Sequence, residues 1–374
     1  MGSAPAPPTP RLLRKLTLRS FRNLDPLELE PGPRVNVFHG DNGAGKSNLL
    51  EAIHYLSALR SFRGARTDDL VGREAAAASL GARWSGRPLD RQQEVLLRRD
   101  GPRKLALDGK RPRSIAAWHT AFPLVLFHAG DLELASGPAE PRRTYLDRIL
   151  EELDPTYATA LASYQKALRS RNRLLKAERA DRAAVTVYDR LLASSGEVVG
   201  KTRARLVDDL APLTEAAFAE VSGGQFPLAV RYRPRVEPRA EAIEAALNRS
   251  FDKDRARGFT GEGPHGDDLA LEVAGEGGPS VRHHASQGQH RAIALSLKIS
   301  ELEVLARRSG WVPPLLLDDV SSELDRTRNR RLFERLATLG GQVFLTTTHP
   351  QFILVDQDRR DFQVRLGVVD AAAD

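Results

Sequence analysis

Gly40-Asp41-Asn42-Gly43-Ala44-Gly45-Lys46-Ser47 matches the phosphate-binding pattern G-x-x-x-x-G-K-[ST]. The run RVNVFH at residues 34–39 predicts a strand before this loop, and a helix is predicted to begin at its end. Glycines let successive backbone N–H groups converge on a phosphate, while Lys neutralises β- and γ-oxygens and a Ser hydroxyl ligates Mg²⁺. All eight residues are therefore predicted to form a Mg-ATP site, and a Gly-rich turn is the alternative.

A second candidate segment, Leu315-Leu-Leu-Asp318-Asp319, ends a run whose composition predicts a fully buried strand. An apolar strand followed by two carboxylates is typical of a Walker B segment. Because adjacent side chains on a strand point to opposite faces, we expect Asp318 to orient the Mg²⁺ shell and Asp319 to face the attacking water. A surface Asp pair that caps a strand is the alternative.

A third candidate is Ser286-Gln-Gly-Gln-His290, which stands at the start of a long helix predicted to end at Ser309. Backbone N–H groups at a helix N-terminus bind anions, so the segment predicts a second anion site. Lys46 already serves the γ-phosphate of its own chain. The second site is therefore most useful if it caps the nucleotide held by another copy, and an ordinary helix cap is the alternative.

Composition narrows the class of protein. The 374 residues are 41% hydrophobic and 28% charged, which is ordinary for a globular chain, and the pI near 9.8 favours a polyanionic partner. The absence of Cys excludes disulfides and thiolate metal sites. No apolar run is long enough for a membrane helix or a signal peptide, so we expect a cytoplasmic protein with no membrane partner.

Basic residues are concentrated in two segments, 98–113 and 166–182, each of which has a net charge of +5 from seven Lys or Arg and two acidic residues. Clustered cations of this kind are suited to DNA phosphates without base readout. A merely solvated helix is the alternative for the second segment. The residues predicted to contact DNA are Arg103, Lys104, Lys110, Arg111, Lys166, Arg169, Arg171, Arg173 and Lys176.

The chain pattern predicts an α/β fold with two lobes. Residues 1–10 are expected to be a flexible leader, 11–139 and 255–374 an ATPase lobe, and 140–254 a mainly helical lobe with a short arm. Alternating runs from 76 to 107 predict an antiparallel meander, and apolar spacing from 141 to 221 predicts helices.

The motifs together resemble the head domains of ATP-binding-cassette ATPases. Their order is the phosphate loop, ASQGQ at 285–289, LLLDDV at 315–320, SSELD at 321–325 and TTTH at 346–349. The long first separation is similar to that of structural-maintenance-of-chromosomes (SMC) heads. Within that group the chain resembles the RecF family, on SFRNL at 20–24, SGPAEPRR at 136–143 and GPHGDD at 263–268.

This resemblance implies a P-loop ATPase head with a mixed sheet that dimerises on ATP. The loop of one copy would face Ser286, Gly288 and Gln289 of the other, with Asp325 at the interface and His349 near the γ-phosphate as a second catalytic residue. Arg22 and Asn23 match the segment of the family that contacts the nucleotide.

The resemblance also implies a function. The dimer would bind DNA at gaps and single-strand to double-strand junctions, help RecO and RecR to load RecA in recombinational repair, and leave DNA on slow, DNA-dependent hydrolysis. The expected roles are therefore in DNA repair, replication and the SOS response. Three alternatives remain. Two of them are a chromosome-organising head of the SMC type and a cassette ATPase with a protein partner. A clamp that binds ATP without hydrolysing it is a third.

Three positions depart from the pattern of the resemblance. Asp319 stands where long-armed relatives have Glu, so the proposed base is one methylene shorter and slow hydrolysis is expected. No Gln follows PLVLF at 123–127, where His128 is a weak substitute. Gly266 occupies a place where the family often has a basic residue. A zinc hook is excluded, because the chain has no Cys to form it.

Overall fold

The computed structural model describes residues 8–85, 90–177, 181–224, 226–273, 277–319, 326–353, 355 and 358–371. The chain forms two compact units: unit 1 comprises residues 1–131 and 301–374, and unit 2 comprises residues 132–300. These boundaries differ from those of the expected lobes, since 132–139 and 255–300 lie in unit 2. The reason is long-range pairing, in which the strand at 268–273 pairs with the strand at 228–233. The expected leader also extends too far, because Thr9 and Pro10 pair in parallel with Trp311 and Val312.

The secondary-structure elements are numbered in chain order. The strands are β1 (Thr9–Pro10), β2 (Leu13–Arg19), β3 (Leu27–Leu29), β4 (Val35–His39), β5 (Ala77–Trp84), β6 (Arg91–Arg98), β7 (Lys104–Leu107), β8 (Val125–Phe127), β9 (Leu228–Arg233), β10 (Asp268–Val273), β11 (Trp311–Val312), β12 (Leu315–Leu317), β13 (Val343–Thr347), β14 (Arg359–Arg365) and β15 (Val368–Ala371). The helices are α1 (Lys46–Ala58), α2 (Thr67–Leu70), α3 (Ile115–Ala121), α4 (Glu133–Ser136), α5 (Ala139–Leu153), α6 (Pro155–Leu175), α7 (Arg182–Ser222), α8 (Ala240–Arg257), α9 (Val281–His284), α10 (Gln287–Ser309) and α11 (Arg326–Leu339).

A six-stranded sheet in unit 1 has the order β15-β14-β4-β13-β12-β8. Every pair is parallel except β14 with β15. Its central strands are buried apart from the half-buried His39 at the end of β4, and β12 is buried throughout as its apolar run predicts. Phe38 stacks between Phe344 and Phe362. The sheet places four strand ends, those of β4, β8, β12 and β13, on one edge.

The antiparallel meander is also confirmed. It forms a five-stranded sheet of order β3-β2-β5-β6-β7 in unit 1. One face of this sheet packs on α1 through a core that includes Leu16, Leu80, Val95 and Ile53, each at most 1% exposed. The predicted α/β architecture of a mixed sheet beside an antiparallel meander is therefore confirmed.

Unit 2 is mainly helical. Helices α5, α6 and α7 lie between residues 139 and 222, which confirms the helices predicted from apolar spacing. β9 and β10 form a two-stranded antiparallel sheet beside α7. Across the described parts of both units, no helix combines the length and the apolar character needed to cross a bilayer.

The interior of unit 2 contains a buried charge cluster. Arg171 is 0% exposed, and its guanidinium donates to Asp189 at 2.6 Å and to Asp254 and Thr260 at 2.8 and 2.9 Å. Burial raises the pKa of Asp189, and the hydrogen bond from Arg171 opposes that shift. Arg171 was predicted to contact DNA, and this prediction is wrong for the described fold because its cation is enclosed and paired.

Replacing Arg171 with Ala should destabilise the protein by about 3–5 kcal/mol, because two buried carboxylates would lose their cation. The matched control is Arg173→Ala, which removes an exposed Arg from the same helix and should change the free energy of unfolding by less than about 0.5 kcal/mol. Urea unfolding followed by far-UV circular dichroism measures both. Equal effects of the two variants would contradict the structural role of Arg171.

Candidate functional site

The loop Gly40–Ser47 joins the carboxyl end of β4 to the N-terminus of α1. Two glycines are required by its path. Gly45 has a φ of 116°, and a Cβ at Gly40, whose φ is 151°, would lie 2.2 Å from the carbonyl oxygen of Val364. The loop thus wraps around the first turn of α1, where backbone N–H groups have no intrahelical partner and can bind phosphate.

Lys46 is held inside this loop. Its ammonium donates to the carbonyl oxygens of Gly40 at 2.8 Å and Asp41 at 2.9 Å, and the residue is 8% exposed. Burial lowers the pKa of Lys46, and the carboxylates of Asp319, Asp318 and Asp41 oppose that shift. The two Walker B carboxylates and the loop Lys are therefore close enough to interact electrostatically, as the sequence motifs predict.

The two carboxylates lie just beyond β12, which ends at Leu317. The Asp318 N–H donates to the carbonyl of Phe127 at 2.9 Å, and its Oδ1 accepts from the Thr346 hydroxyl at 2.8 Å. The same hydroxyl accepts from the Asp319 N–H at 2.9 Å. Asp319 is exposed and left-handed, with a φ of 54°. Both residues lie in a turn beyond the end of β12, so the alternation expected along a strand does not apply to them.

His349 lies two residues beyond β13, which pairs with β4 on one side and β12 on the other. Its N–H donates to the Thr347 hydroxyl at 3.0 Å, and its ring contacts Phe352. Because the carboxyl ends of parallel strands meet on one edge, His349 shares that edge with the phosphate loop and the two Asp residues. The predicted catalytic pair, Asp319 and His349, is thus placed at one site.

Arg22 and Asn23 lie in the turn after β2. The Arg22 guanidinium makes two hydrogen bonds, at 2.9 and 3.0 Å, to Glu51, a fully buried residue of α1. Asn23 Oδ1 accepts from Asn48 at 2.6 Å, and Asn48 in turn accepts from Arg63 at 2.9 Å. Asn23 therefore lies against the loop as expected, whereas the Arg22 cation is engaged by Glu51.

The position of the missing Gln is occupied by a polar turn after β8. The N–H of His128 donates to Asp131 at 2.8 Å, and His128 Nδ1 accepts from the Gly130 N–H at 3.1 Å. The His128 ring also contacts Phe62 at 5.1 Å between centroids. His128 thus stands at the same sheet edge as the nucleotide motifs, with its Nδ1 already used as an acceptor.

The segment at residues 286–290 in unit 2, called the signature segment after its counterpart in cassette ATPases, forms a capping box. Ser286 Oγ accepts from the Gln289 N–H at 3.3 Å, while Gln289 Oε1 accepts from the Ser286 N–H at 2.7 Å. His290 Nε2 donates to the carbonyl of Val281 at 3.0 Å, which ties the start of α10 to α9. The N-terminus of this helix therefore contains Ser286, Gly288 and Gln289, as predicted. Within one chain, the hydrogen bonds between Ser286 and Gln289 are those of an ordinary helix cap, which was the alternative. Asp325 lies outside the described residues.

The predicted DNA residues divide between the units. In unit 2, Lys166, Arg169, Arg173 and Lys176 are exposed, and their spacing of three, four and three residues places them on one face of α6 or just past its end. In unit 1, Lys104 and Arg111 line a groove of about 780 Å³ over the open face of the five-stranded sheet, together with Lys15 and Arg83. Lys110 is exposed nearby in sequence, and Arg103 donates to the carbonyl of Leu59 at 2.5 Å.

Three residues of this site were not predicted from the sequence. Thr346 bridges the two Asp residues, although it stood inside the TTTH motif with no role assigned to it. Glu51 and Asn48 organise the Arg22–Asn23 turn. Glu51 could have been found as the one acidic residue within the apolar run of α1, because a buried carboxylate requires a partner.

Comparison with known proteins gives one consistent family. The family described as RecF/RecN/SMC N-terminal domain matches residues 12–360. The chain is 37% identical to the DNA replication and repair protein RecF of Geobacter sp. (strain M21), over 96% of this chain and 99% of the relative. It is 41% identical to the RecF of Anaeromyxobacter sp. (strain Fw109-5), over 96% and 98%.

Solved structures agree with the sequence relatives. A structure described as the recombination mediator protein RecF-ATP in the RecFOR pathway superposes with a TM-score of 0.89 at 31% identity, over 99% of this chain and 100% of that chain. An SMC head bound to a winged-helix domain of ScpA gives 0.57 at 15% identity, over 96% of each chain, which shows a shared fold alone. With both lines of similarity spanning nearly the whole sequence, the chain belongs to the RecF family of DNA replication and repair proteins.

Proposed function

We propose that this chain is a DNA-repair ATPase that binds Mg-ATP in unit 1, dimerises on it and holds DNA until hydrolysis releases the dimer. The observation that carries the proposal is the meeting of Lys46, Asp318 and Asp319 at one sheet edge. The related RecF-ATP structure, which is 31% identical to this chain, supports the assignment of the nucleotide.

ATP binding would exchange one set of contacts for another. Lys46 now donates to two loop carbonyls, and a bound β- or γ-phosphate would replace those acceptors with charged oxygens. Hydrogen bonds to charged groups are stronger than those to neutral ones, so the exchange favours the nucleotide. The N–H groups of Gly43 to Ser47 would surround the same phosphates.

The residues present fit a magnesium ion. Among the described residues no group of three or more His, Cys, Asp or Glu could hold a metal, but Mg²⁺ on a nucleotide needs only one or two protein oxygens besides phosphates and waters. Ser47 and Asp318 would supply those oxygens, and the Thr346 hydroxyl already fixes Asp318 Oδ1. The ion would neutralise the charge that develops on the phosphate oxygens.

Hydrolysis would depend on Asp319 and His349. Asp319 is exposed at the sheet edge and is the carboxylate that can accept a proton from the attacking water, while His349 would contact the γ-phosphate. The Asp side chain is one methylene shorter than Glu, which supports slow turnover. The short arm built from α6 and α7 favours this reading over a chromosome-organising head with long arms.

The dimer would place Ser286, Gly288 and Gln289 of one copy on the nucleotide of the other. DNA would contact the exposed cations of α6 and the basic groove of unit 1, and DNA binding would stimulate hydrolysis. Acting at gaps and single-strand to double-strand junctions, the dimer would work with RecR and RecO to load RecA. The related RecF-ATP protein acts as a recombination mediator in the RecFOR pathway, which supports those partners.

Asp319→Asn should retain ATP binding and lose turnover by about 10²-fold or more, because the general base is removed. Lys46→Ala should instead weaken ATP binding by about 10- to 100-fold through lost charge-assisted hydrogen bonds. Binding of a fluorescent ATP analogue and phosphate release measure the two effects. Asp370→Asn, at an exposed residue of β15, is the matched control. Unchanged turnover of Asp319→Asn would show a clamp that does not use this base.

At protein concentrations low enough for the nucleotide-free protein to be monomeric, ATP should convert monomers into dimers, and Ser286→Asp should abolish that conversion. Asp keeps the N-cap hydrogen bond to Gln289 but places a negative charge where the partner's phosphate would lie. Sedimentation velocity with and without ATP measures the fraction of dimer. Ser286→Arg is a second disruptive variant, and Ser163→Asp, at an exposed residue of α6, is the control. A protein that binds ATP and stays monomeric with DNA present would exclude the sandwich.

DNA affinity should fall steeply with salt, and each lost phosphate contact should reduce the slope of log K against log salt by about 0.9. Lys166→Ala and Lys104→Ala should each show that reduction. Arg249→Ala removes an exposed cation from α8, outside both basic surfaces, and should leave the slope unchanged. Fluorescence anisotropy between about 50 and 200 mM salt gives the slopes, and a flat response of the wild type would disprove phosphate-dominated binding.

A further inference from the structure

The long helix α7 has an apolar surface on a face that the described part of unit 2 leaves open. Val187, Leu191 and Val198 are 58%, 50% and 37% exposed, and the exposed Ser194 lies among them. Their spacing of four, three and four residues puts all four on one side of the helix. We call these four residues the α7 seam.

The seam is additional to the face of α7 that builds the core. Leu192, Val199 and Leu206 are at most 1% exposed and pack inside unit 2. Apolar residues at alternating steps of three and four are the pattern by which one helix packs along another. Large apolar side chains exposed in a continuous row mark an interaction surface, whereas single exposed ones do not.

Charged residues of both signs lie on one flank of the seam. Arg190 and Glu197 lie on the same flank, seven residues apart, with side chains 74% and 31% exposed. Their contacts within the chain are surface pairs, from Arg190 to Glu244 at 3.8 Å and from Glu197 to Lys201 at 2.6 Å. The other flank carries the uncharged Tyr188 and Ser195. One flank thus carries charges of both signs, and the uncharged flank permits a second helix to approach closely.

We propose that the α7 seam binds the same seam of a second copy of this chain, with the two helices antiparallel about a two-fold axis. In that register Leu191 faces Ser194 of the second copy, and Val187 faces its Val198. Arg190 then faces Glu197 of the second copy, and the symmetry repeats the pair, so that two intermolecular ion pairs flank the seam.

Self-complementarity is the argument for a second copy as the occupant. The midpoint of Arg190 and Glu197 falls within one residue of the midpoint of Val187 and Val198, so a single axis satisfies charges and apolar contacts together. A parallel arrangement would place Arg190 beside the uncharged Ser195 of the second copy and would form no such ion pair. The seam extends over about 16 Å at 1.5 Å per residue. The surface area that it can bury is small beside that of a standard interface, so the dimer is weak and concentration-dependent.

The test is sedimentation equilibrium without nucleotide, so that an ATP-dependent dimer does not contribute. Wild type should show a reversible monomer–dimer equilibrium. Arg190→Glu and Glu197→Arg should each raise the dissociation constant by about tenfold or more, because each juxtaposes like charges twice. The double variant should return it to within about threefold of wild type. Arg249→Glu, the same charge change on exposed α8, should have no effect.

Restoration by the double variant separates this interface from effects inside one chain. The double variant still lacks the contacts of Arg190 to Glu244 and of Glu197 to Lys201, so losses that arise from those pairs would add instead of cancelling. Additive losses would therefore overturn the proposal.

Cross-linking tests the register directly. The chain has no Cys, so an introduced thiol is its only one. An equimolar mixture of Leu191→Cys and Ser194→Cys proteins should form a disulfide-linked heterodimer on mild oxidation, and a mixture of Leu191→Cys with Ala216→Cys should not. A wild type that stays monomeric up to about 100 μM, together with no cross-link, would overturn the proposal and leave the seam to a different protein. That result would not affect the proposed ATPase.

Discussion

Strand β13 is hydrogen-bonded in parallel to β4 on one side and to β12 on the other, and the candidate site depends on this pairing. Parallel alignment brings the phosphate loop after β4, the carboxylates after β12 and His349 after β13 to one edge. A slip of one residue in either pair would turn the side chains of that strand to the opposite face. Phe38, stacked between Phe344 and Phe362, fixes the alignment from within the core.

Much of the site could be predicted because each motif contains, within a few consecutive residues, the groups that its chemistry requires. The phosphate loop needs glycines, a Lys and a hydroxyl at fixed spacing, and the buried run of β12 needs no partner to be identified. The turn at Asp319 could not be predicted in this way. Its left-handed φ follows from the Thr346 hydroxyl that accepts its N–H, a contact between residues 27 positions apart.

Arg171 and Arg173 show the same limit in the helical unit. Both stand in a basic run, and charge counting treats them alike. Helical phase separates them, because Lys166, Arg169 and Arg173 share one face and Arg171 lies on the opposite one. The partners that make burial of Arg171 tolerable, Asp189 and Asp254, come from α7 and α8. Gly266 is a similar case, since a Cβ there would lie 3.0 Å from the side chain of Arg235, which occupies that space.

At the start of α10, the internal capping box and, in the proposed dimer, a phosphate held by another copy would compete for the same groups of the signature segment. In the single chain, Ser286 and Gln289 satisfy each other, and replacing a cap of this kind costs about 0.5–2 kcal/mol. A phosphate arriving from another copy would have to exceed that internal contact before association gains anything. In the proposed dimer, a triphosphate, which carries more negative charge, would displace this internal contact more readily than a diphosphate, so the fraction of dimer would depend on the ratio of ATP to ADP.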